Sequence, residues 1–177
     1  MNFTQKQQRI IPQSMKRVII VRHAKSVPYG YDDDFSRDLA ERGITDAEKI
    51  SLRLREMGLF PDMVIASPAT RTMHTAAIYC QTLGYDVASI RREVVLYDGL
   101  TTQEFVGLLQ QLPEKVQTVF VFGHNPTVYY LVYNLVKYFN SDMPTCSTVA
   151  LDFEVQTWKD VSARGAKMVF QLIPKSI

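Results

Sequence analysis

The sequence predicts an α/β fold, a three-layer α/β/α sandwich built on a mostly parallel sheet with an antiparallel C-terminal edge. Two observations predict it. Short apolar runs rich in β-branched and aromatic residues alternate with longer segments of helical period, the pattern of strand and helix units that cover both faces of a parallel sheet. The last two runs follow one another across a loop with no helix between them, as in an antiparallel hairpin. A length of 177 residues with 46% hydrophobic content suits one domain with a full core.

Each element has its own signal. Residues 18–21 (VIIV) are apolar throughout, as a strand buried on both faces requires. A helical pattern over 45–57 is closed by Gly58, and Met63–Ala66 forms the next strand. Thr70–Leu83 reads as a helix closed by Gly84, and 102–112 as one closed by Pro113. The strand at 116–122 leads into a helix at 127–139, and strands at 149–155 and 168–173 complete the set. No repeat or internal linker divides residues 15–177, and the Gln-rich residues 1–14 read as a flexible N-terminal extension.

Composition narrows the function classes. Twenty basic against 18 acidic residues leave a net charge of +2, so neither nucleic acid nor a membrane surface is expected as a partner. No stretch nears the ~18 consecutive apolar residues of a membrane span and no apolar leader opens the chain, so a cytoplasmic protein is expected. Cys80 and Cys146 lie in apolar stretches without metal-ligand spacing and read as reduced core residues.

Open α/β sheets bind ligands at the carboxyl ends of their parallel strands, and three such ends carry unusual chemistry. Arg22, His23, Lys25 and Ser26 follow the first strand, Ser67 and Arg71 the second, and Gly123, His124, Asn125 and Pro126 the run at 116–122. Two guanidinium forks can hold an oxyanion bidentately, and helix N-termini near Pro68 and Pro126 add backbone donors. The histidines add a reaction. A neutral imidazole can attack phosphorus to give a phosphohistidine that water hydrolyses, and a protonated second ring would stabilise the charge in transfer.

The segments RHAKS (22–26), RDLAERG (37–43), SPATRT (67–72), LYDG (96–99) and GHNP (123–126) stand in this order, with Pro144-Thr145 and VFQLIPK (169–175) after them. With them the sequence resembles the histidine phosphatase superfamily, of phosphoglycerate mutase-like fold, and most closely its SixA-type phosphohistidine phosphatase branch. The resemblance covers residues 16–174. It implies His23 as the phosphorylated nucleophile, Arg22 and Arg71 as phosphate ligands, and His124 as the second histidine of the pocket, with no metal and no cofactor. The implied activity is that of a phosphatase working through a covalent phosphohistidine. Its favoured substrate is a phosphohistidine on a partner protein, the alternatives being a small phosphomonoester or a phosphate-binding module with little turnover.

Larger members of that superfamily carry a glutamate general acid in the neighbourhood of LYDG, which makes Asp98 either the candidate acid or a turn former before Gly99. Asp38 stands where the branch carries the proline of an RPL segment. Ser26 either touches phosphate or does not, and Lys25 either faces the site or solvent. His74 reads as structural or surface, Asp32 to Asp34 as a solvated turn and no metal site, Trp158 as a loop anchor, and Tyr129, Tyr130, Tyr133, Tyr138 and Phe139 as packing. Short loops at the strand ends suggest an open pocket, which suits a phosphoryl group displayed on a protein.

Overall fold

In the computed structural model, which describes residues 15–177, the apolar run forms β1 (Lys16–Arg22) and its side chains enter two cores alternately. Val18 and Ile20 join one cluster, Ile19 and Val21 the other, and all four are fully buried. β4 (Thr118–Gly123) repeats the device, with Val119 and Val121 on one face and Phe120 and Phe122 on the opposite one. A strand covered on both faces has no polar side, which is why these runs show no alternation. The extension expected over residues 1–14 lies outside the described residues.

The other strands are β2 (Met63–Ala66), β3 (Arg91–Arg92), β5 (Thr148–Phe153) and β6 (Ala166–Leu172). The sheet runs β3-β2-β4-β1-β5-β6. The first four are mutually parallel, and β5 pairs antiparallel with both β1 and β6. Helices α1 (Glu41–Glu56) and α2 (Thr70–Leu83) cover one face through Ala47, Ile50, Leu54, Ala76, Tyr79 and Leu83. The opposite face is covered by α4 (Thr102–Gln110) and α5 (Thr127–Leu135), while α3 (Val95–Asp98) is a single turn between β3 and α4. The expected three-layer sandwich with its antiparallel edge is therefore the observed one.

Several boundaries differ from the sequence pattern. The helix expected from residue 45 begins at Glu41, because the Ala40 N–H donates to the Lys25 carbonyl at 2.9 Å and seats the first turn against the end of β1. The helix expected to reach residue 139 stops at Leu135, where Val136 turns extended and bridges to Ala166. Asp62 takes the N–H groups of Gln117 and Thr118, both at 2.9 Å, at the start of β4. Two-residue β3 and one-turn α3 are too short to leave a periodic signal. Trp158 is a buried anchor whose indole donates to the Val116 carbonyl at 2.8 Å. Of the tyrosine set only part packs: Tyr129 stacks on Tyr133 and meets Phe139, while Tyr130, Tyr133 and Tyr138 are exposed. Both cysteines are free and buried, and burial pushes each thiol up to about 12.

Gly43 is required by contact. A Cβ at this position would overlap the carbonyl oxygen of Lys25, two residues after His23. Gly43→Ala is therefore expected to destabilise the protein by about 1–3 kcal/mol, the usual range for overpacking, measured as a lowered urea midpoint at unchanged slope.

Candidate functional site

Parallel register brings the three strand ends level. Arg22 pairs with Gly123 across β1 and β4, and Ala66 pairs with Phe122 across β2 and β4. The residues that follow, His23, His124 and Ser67, therefore emerge on one edge of the sheet. The His23 N–H donates to the Gly123 carbonyl and the His23 carbonyl accepts from Cys146, both at 3.0 Å, so its backbone is held from both sides. The loop before β5 closes the same edge, where the Met143 carbonyl accepts from Arg22 Nη1 at 2.9 Å and from Asn125 Nδ2 at 3.0 Å. The Asn125–Pro126 peptide is cis.

The two imidazoles lie with ring centroids 5.1 Å apart. His23 Nδ1 is 2.8 Å from the carbonyl of Ala24, an atom that only accepts, so Nδ1 carries the proton and Nε2 keeps its lone pair. His124 Nε2 meets the Ser67 hydroxyl at 2.7 Å and the Thr72 hydroxyl at 3.2 Å. α2 binds the site to β1 as well: the Thr75 hydroxyl donates to the Arg71 carbonyl at 2.7 Å and accepts the Ala24 N–H at 3.0 Å. Among the described residues four buried side-chain atoms, Arg22 Nε, Arg71 Nε, His124 Nδ1 and Asn125 Oδ1, have no hydrogen-bond partner, and three of them are nitrogens. Buried polar atoms are rarely left so, and three nitrogens on residues clustered at one sheet edge call for a shared acceptor such as an oxyanion.

The remaining residues fall as follows. Ser26 is buried, accepts from Arg37 Nη1 at 3.2 Å and bridges to Leu39. Lys25 is exposed and takes part through its backbone carbonyl. Asp98 lies exposed at the end of α3. Asp38 takes the Leu39 N–H and pairs with His74 Nδ1, both at 2.7 Å, and so fastens the loop after β1 to α2.

One expectation is corrected. The loop after β1 is not short: residues 23–40 separate β1 from α1, and Asp34 in it reaches Arg71. Asp33 behaves as a turn residue and takes the Ser36 N–H at 2.7 Å, but Asp34 does not. Arg71, only 5% exposed, donates from Nη1 to the Asp34 carbonyl at 2.6 Å and from Nη2 to Asp34 Oδ2 at 2.9 Å. Arg37 grips Asp34 Oδ1 through Nη2 at 2.7 Å and Nε at 3.1 Å, and the Tyr97 hydroxyl donates to Oδ2 at 3.2 Å. Tyr97 stands edge-on to His124, with ring centroids 5.7 Å apart. Sequence reasoning missed Asp34, Arg37 and Tyr97 as site residues, although RDLAERG and LYDG hold two of them.

Residues 18–106 match the family model of the histidine phosphatase superfamily (branch 1). Among solved structures, the protein histidine phosphatase SixA complexed with tungstate superposes with a TM-score of 0.78 at 21% identity, over 90% of this chain and 98% of that one. The putative phosphohistidine phosphatase SixA from Agrobacterium tumefaciens gives 0.75 at 25% identity over the same shares. A Drosophila virilis protein named serine/threonine-protein phosphatase Pgam5, mitochondrial, is 33% identical over 94% of this chain and 61% of its own length. Its Drosophila grimshawi namesake is 34% identical over 50% of this chain and 30% of its own length. The chain thus spans less than two thirds of the length of these curated relatives.

Both imidazoles are neutral in this environment. Burial first, and then the positive charges of Arg71, Arg22 and Arg37, lower His23 from 6.5 to about 4, against the pull of the Ala24 carbonyl. Burial, then His23 and Arg71, lower His124 from 6.5 to about 3. The sequence leaves the protonation of the second ring open, and burial with the charges of His23 and Arg71 disfavours it in the free site. As pH falls below 6.5 the unfolded chain takes up protons that the folded protein refuses, so stability is whole above that value and is lost progressively towards pH 4. Urea midpoints measured across this window should fall with pH, and His23→Ala should flatten the decline.

Proposed function

Because the chain belongs to the histidine phosphatase superfamily, we propose that it is a metal-independent phosphatase that works through a phosphohistidine on His23 and prefers a phosphohistidine displayed on a protein. The observation that carries this reading is the neutral His23, with its Nε2 lone pair free, among three buried nitrogen donors that lack an acceptor. Arg22 and Arg71 hold the phosphoryl oxygens. With its proton on Nδ1, His124 accepts from the Ser67 hydroxyl 2.7 Å away at Nε2, and Nδ1 donates to the same oxygens without the ring being charged. His23 Nε2 attacks phosphorus and the bond to the leaving group breaks. Water then attacks the phosphohistidine and releases inorganic phosphate. The donors are aimed before charge moves, so little reorganisation accompanies the transfer.

The exposed aromatic and aliphatic side chains beside this pocket support a protein substrate. Phe35 packs edge-on against Tyr97 at 5.1 Å and joins the loop at 27–38 to α3. Tyr29 and Tyr31 on that loop, and Val94 and Val95 at α3, are exposed. Apolar side chains gathered at a rim suit contact with another protein better than with a small polar ester. No nucleic acid or membrane has a part in this reading, and no helix among the described residues is long and apolar enough to cross a membrane. A cytoplasmic setting belongs to the same proposal, whereas the fly relatives are named mitochondrial.

The second reading, a small-molecule phosphomonoesterase, needs an acid for an alkoxide, and Asp98 is the candidate. A phosphate-binding module with little turnover would leave the nucleophile idle. The deciding experiment measures hydrolysis of a phosphohistidine protein, an alkyl phosphate and an aryl phosphate in parallel. Activity is expected to be higher on phosphohistidine than on the alkyl phosphate, insensitive to chelators, and lost in His23→Ala. Asp98→Asn should slow alkyl phosphate hydrolysis by ~10²-fold, the typical worth of a general acid, and phosphohistidine hydrolysis far less. A large loss on both substrates would make Asp98 the acid and favour the small-molecule reading.

A further inference from the structure

Asp34 is an acidic group that reaches Arg71 in this pocket, and the mechanism above gives it no task. Its side chain is 53% exposed while its partner Arg71 is buried, so the carboxylate stands between the guanidinium and solvent. Three side chains hold it. Arg37 binds Oδ1 twice, and Arg71 and Tyr97 share Oδ2. When a phosphoryl group takes the Arg71 fork, Arg37 and Tyr97 still fix the carboxylate near the pocket mouth, with Tyr97 edge-on to His124.

We infer that Asp34 selects the leaving group, favouring one that departs as a nitrogen base still carrying an N–H over one that departs as an oxyanion. The inference rests on the proposed phosphohistidine reading and names the residue that enforces it. The carboxylate is not a proton donor, since Arg37 first, aided by Arg71 and Tyr97, holds it at about 2. An ionised carboxylate at the exit repels a departing alkoxide or phenolate and accepts a hydrogen bond from an imidazole N–H. With phosphohistidine the bond between His23 Nε2 and phosphorus forms as the phosphorus–nitrogen bond of the substrate breaks. The bonding pair becomes the lone pair of the leaving nitrogen. The other ring nitrogen keeps its proton, donated to Asp34 throughout, and neutral imidazole departs. No proton has to be delivered.

The test uses the full chain, a synthetic phosphohistidine peptide and p-nitrophenyl phosphate. Asp34→Asn is expected to lower kcat/KM on the peptide by about 10-fold or more, the worth of a hydrogen bond to a charged group. It should raise kcat/KM on p-nitrophenyl phosphate, because Arg71 is no longer shared with a fixed carboxylate, and inorganic phosphate should inhibit the variant more strongly. Asp34→Glu, which keeps the charge, should restore part of the preference, and Tyr97→Phe should shift it the same way as Asp34→Asn but less. Both substrates moving together in Asp34→Asn, in either direction, would overturn the inference while a peptide-active wild type left the phosphohistidine reading standing. A wild-type protein that hydrolyses p-nitrophenyl phosphate and leaves the peptide intact would overturn both.

Discussion

The parallel pairing of β1 with β4, which sets Arg22 opposite Gly123, holds the site together. The two histidines follow these residues directly, so strand register sets their backbones side by side, and their rings lie 5.1 Å apart. Register is secured by size as well as by hydrogen bonds. β4 turns Phe120 and Phe122 toward α1 and α2, and Val119 and Val121 toward α4 and α5. A slip by one residue would exchange these sets, force phenyl rings into space packed for valine, and leave voids on the other face. Gly123 adds a local demand, for a Cβ there would come within 2.9 Å of Val128 on α5. Packing far from the chemistry thus decides where the two histidines leave the sheet.

The same strand ends concentrate positive charge in a place that water reaches poorly. Arg22, Arg71 and Arg37 each disfavour a proton on His23, and burial disfavours it more. The result is an imidazole held neutral far below its usual range, beside buried nitrogens that the protein leaves unmet. Such local frustration is what a preformed anion site requires: the groups that would bind phosphate cannot be satisfied by the scaffold without abolishing the site. Asp34 offsets part of the charge from outside, on the one guanidinium that is almost fully buried.

How far the sequence reveals this arrangement depends on chain distance. His23, Arg22 and His124 are legible because each stands at or just after the end of a wholly apolar run, and Arg71 because it opens a helix right after another. Asp34 and Tyr97 are not, since their contacts join residues 37 and 63 positions apart through a loop whose course no local pattern encodes. Three acids in a row look like a solvated turn, and Asp33 is one; only the reach to Arg71 separates Asp34 from its neighbour. Asp38 carries no local signal of its role until His74 is seen to hold it from α2. Long strands and helices announce themselves by period, whereas two-residue β3 and one-turn α3, which carries Tyr97, have too few residues to show one.

Proton inventory links the architecture to the choice of reaction. A general acid works best when its proton is nearly free at the working pH, and the groups that touch the pocket are far from that condition. His23 and His124 are neutral and titrate only near 4 and 3, the Asp34 carboxylate is ionised down to about 2, and Tyr97, raised by its surroundings and by Asp34, keeps its proton above the ordinary phenol range. In the proposed reaction, a pocket that binds the phosphoryl group, offers a free imidazole nitrogen and holds no labile proton does not help an alkoxide to leave. It suits a leaving group that brings its own proton. Imidazole does so when its second nitrogen is already protonated, and a fixed carboxylate that accepts that N–H stabilises the protonated form from which departure is easiest. In the proposed reaction the guanidinium groups and the exposed anion act on opposite ends of the breaking bond, the cations on phosphorus and its oxygens, the anion on the departing ring.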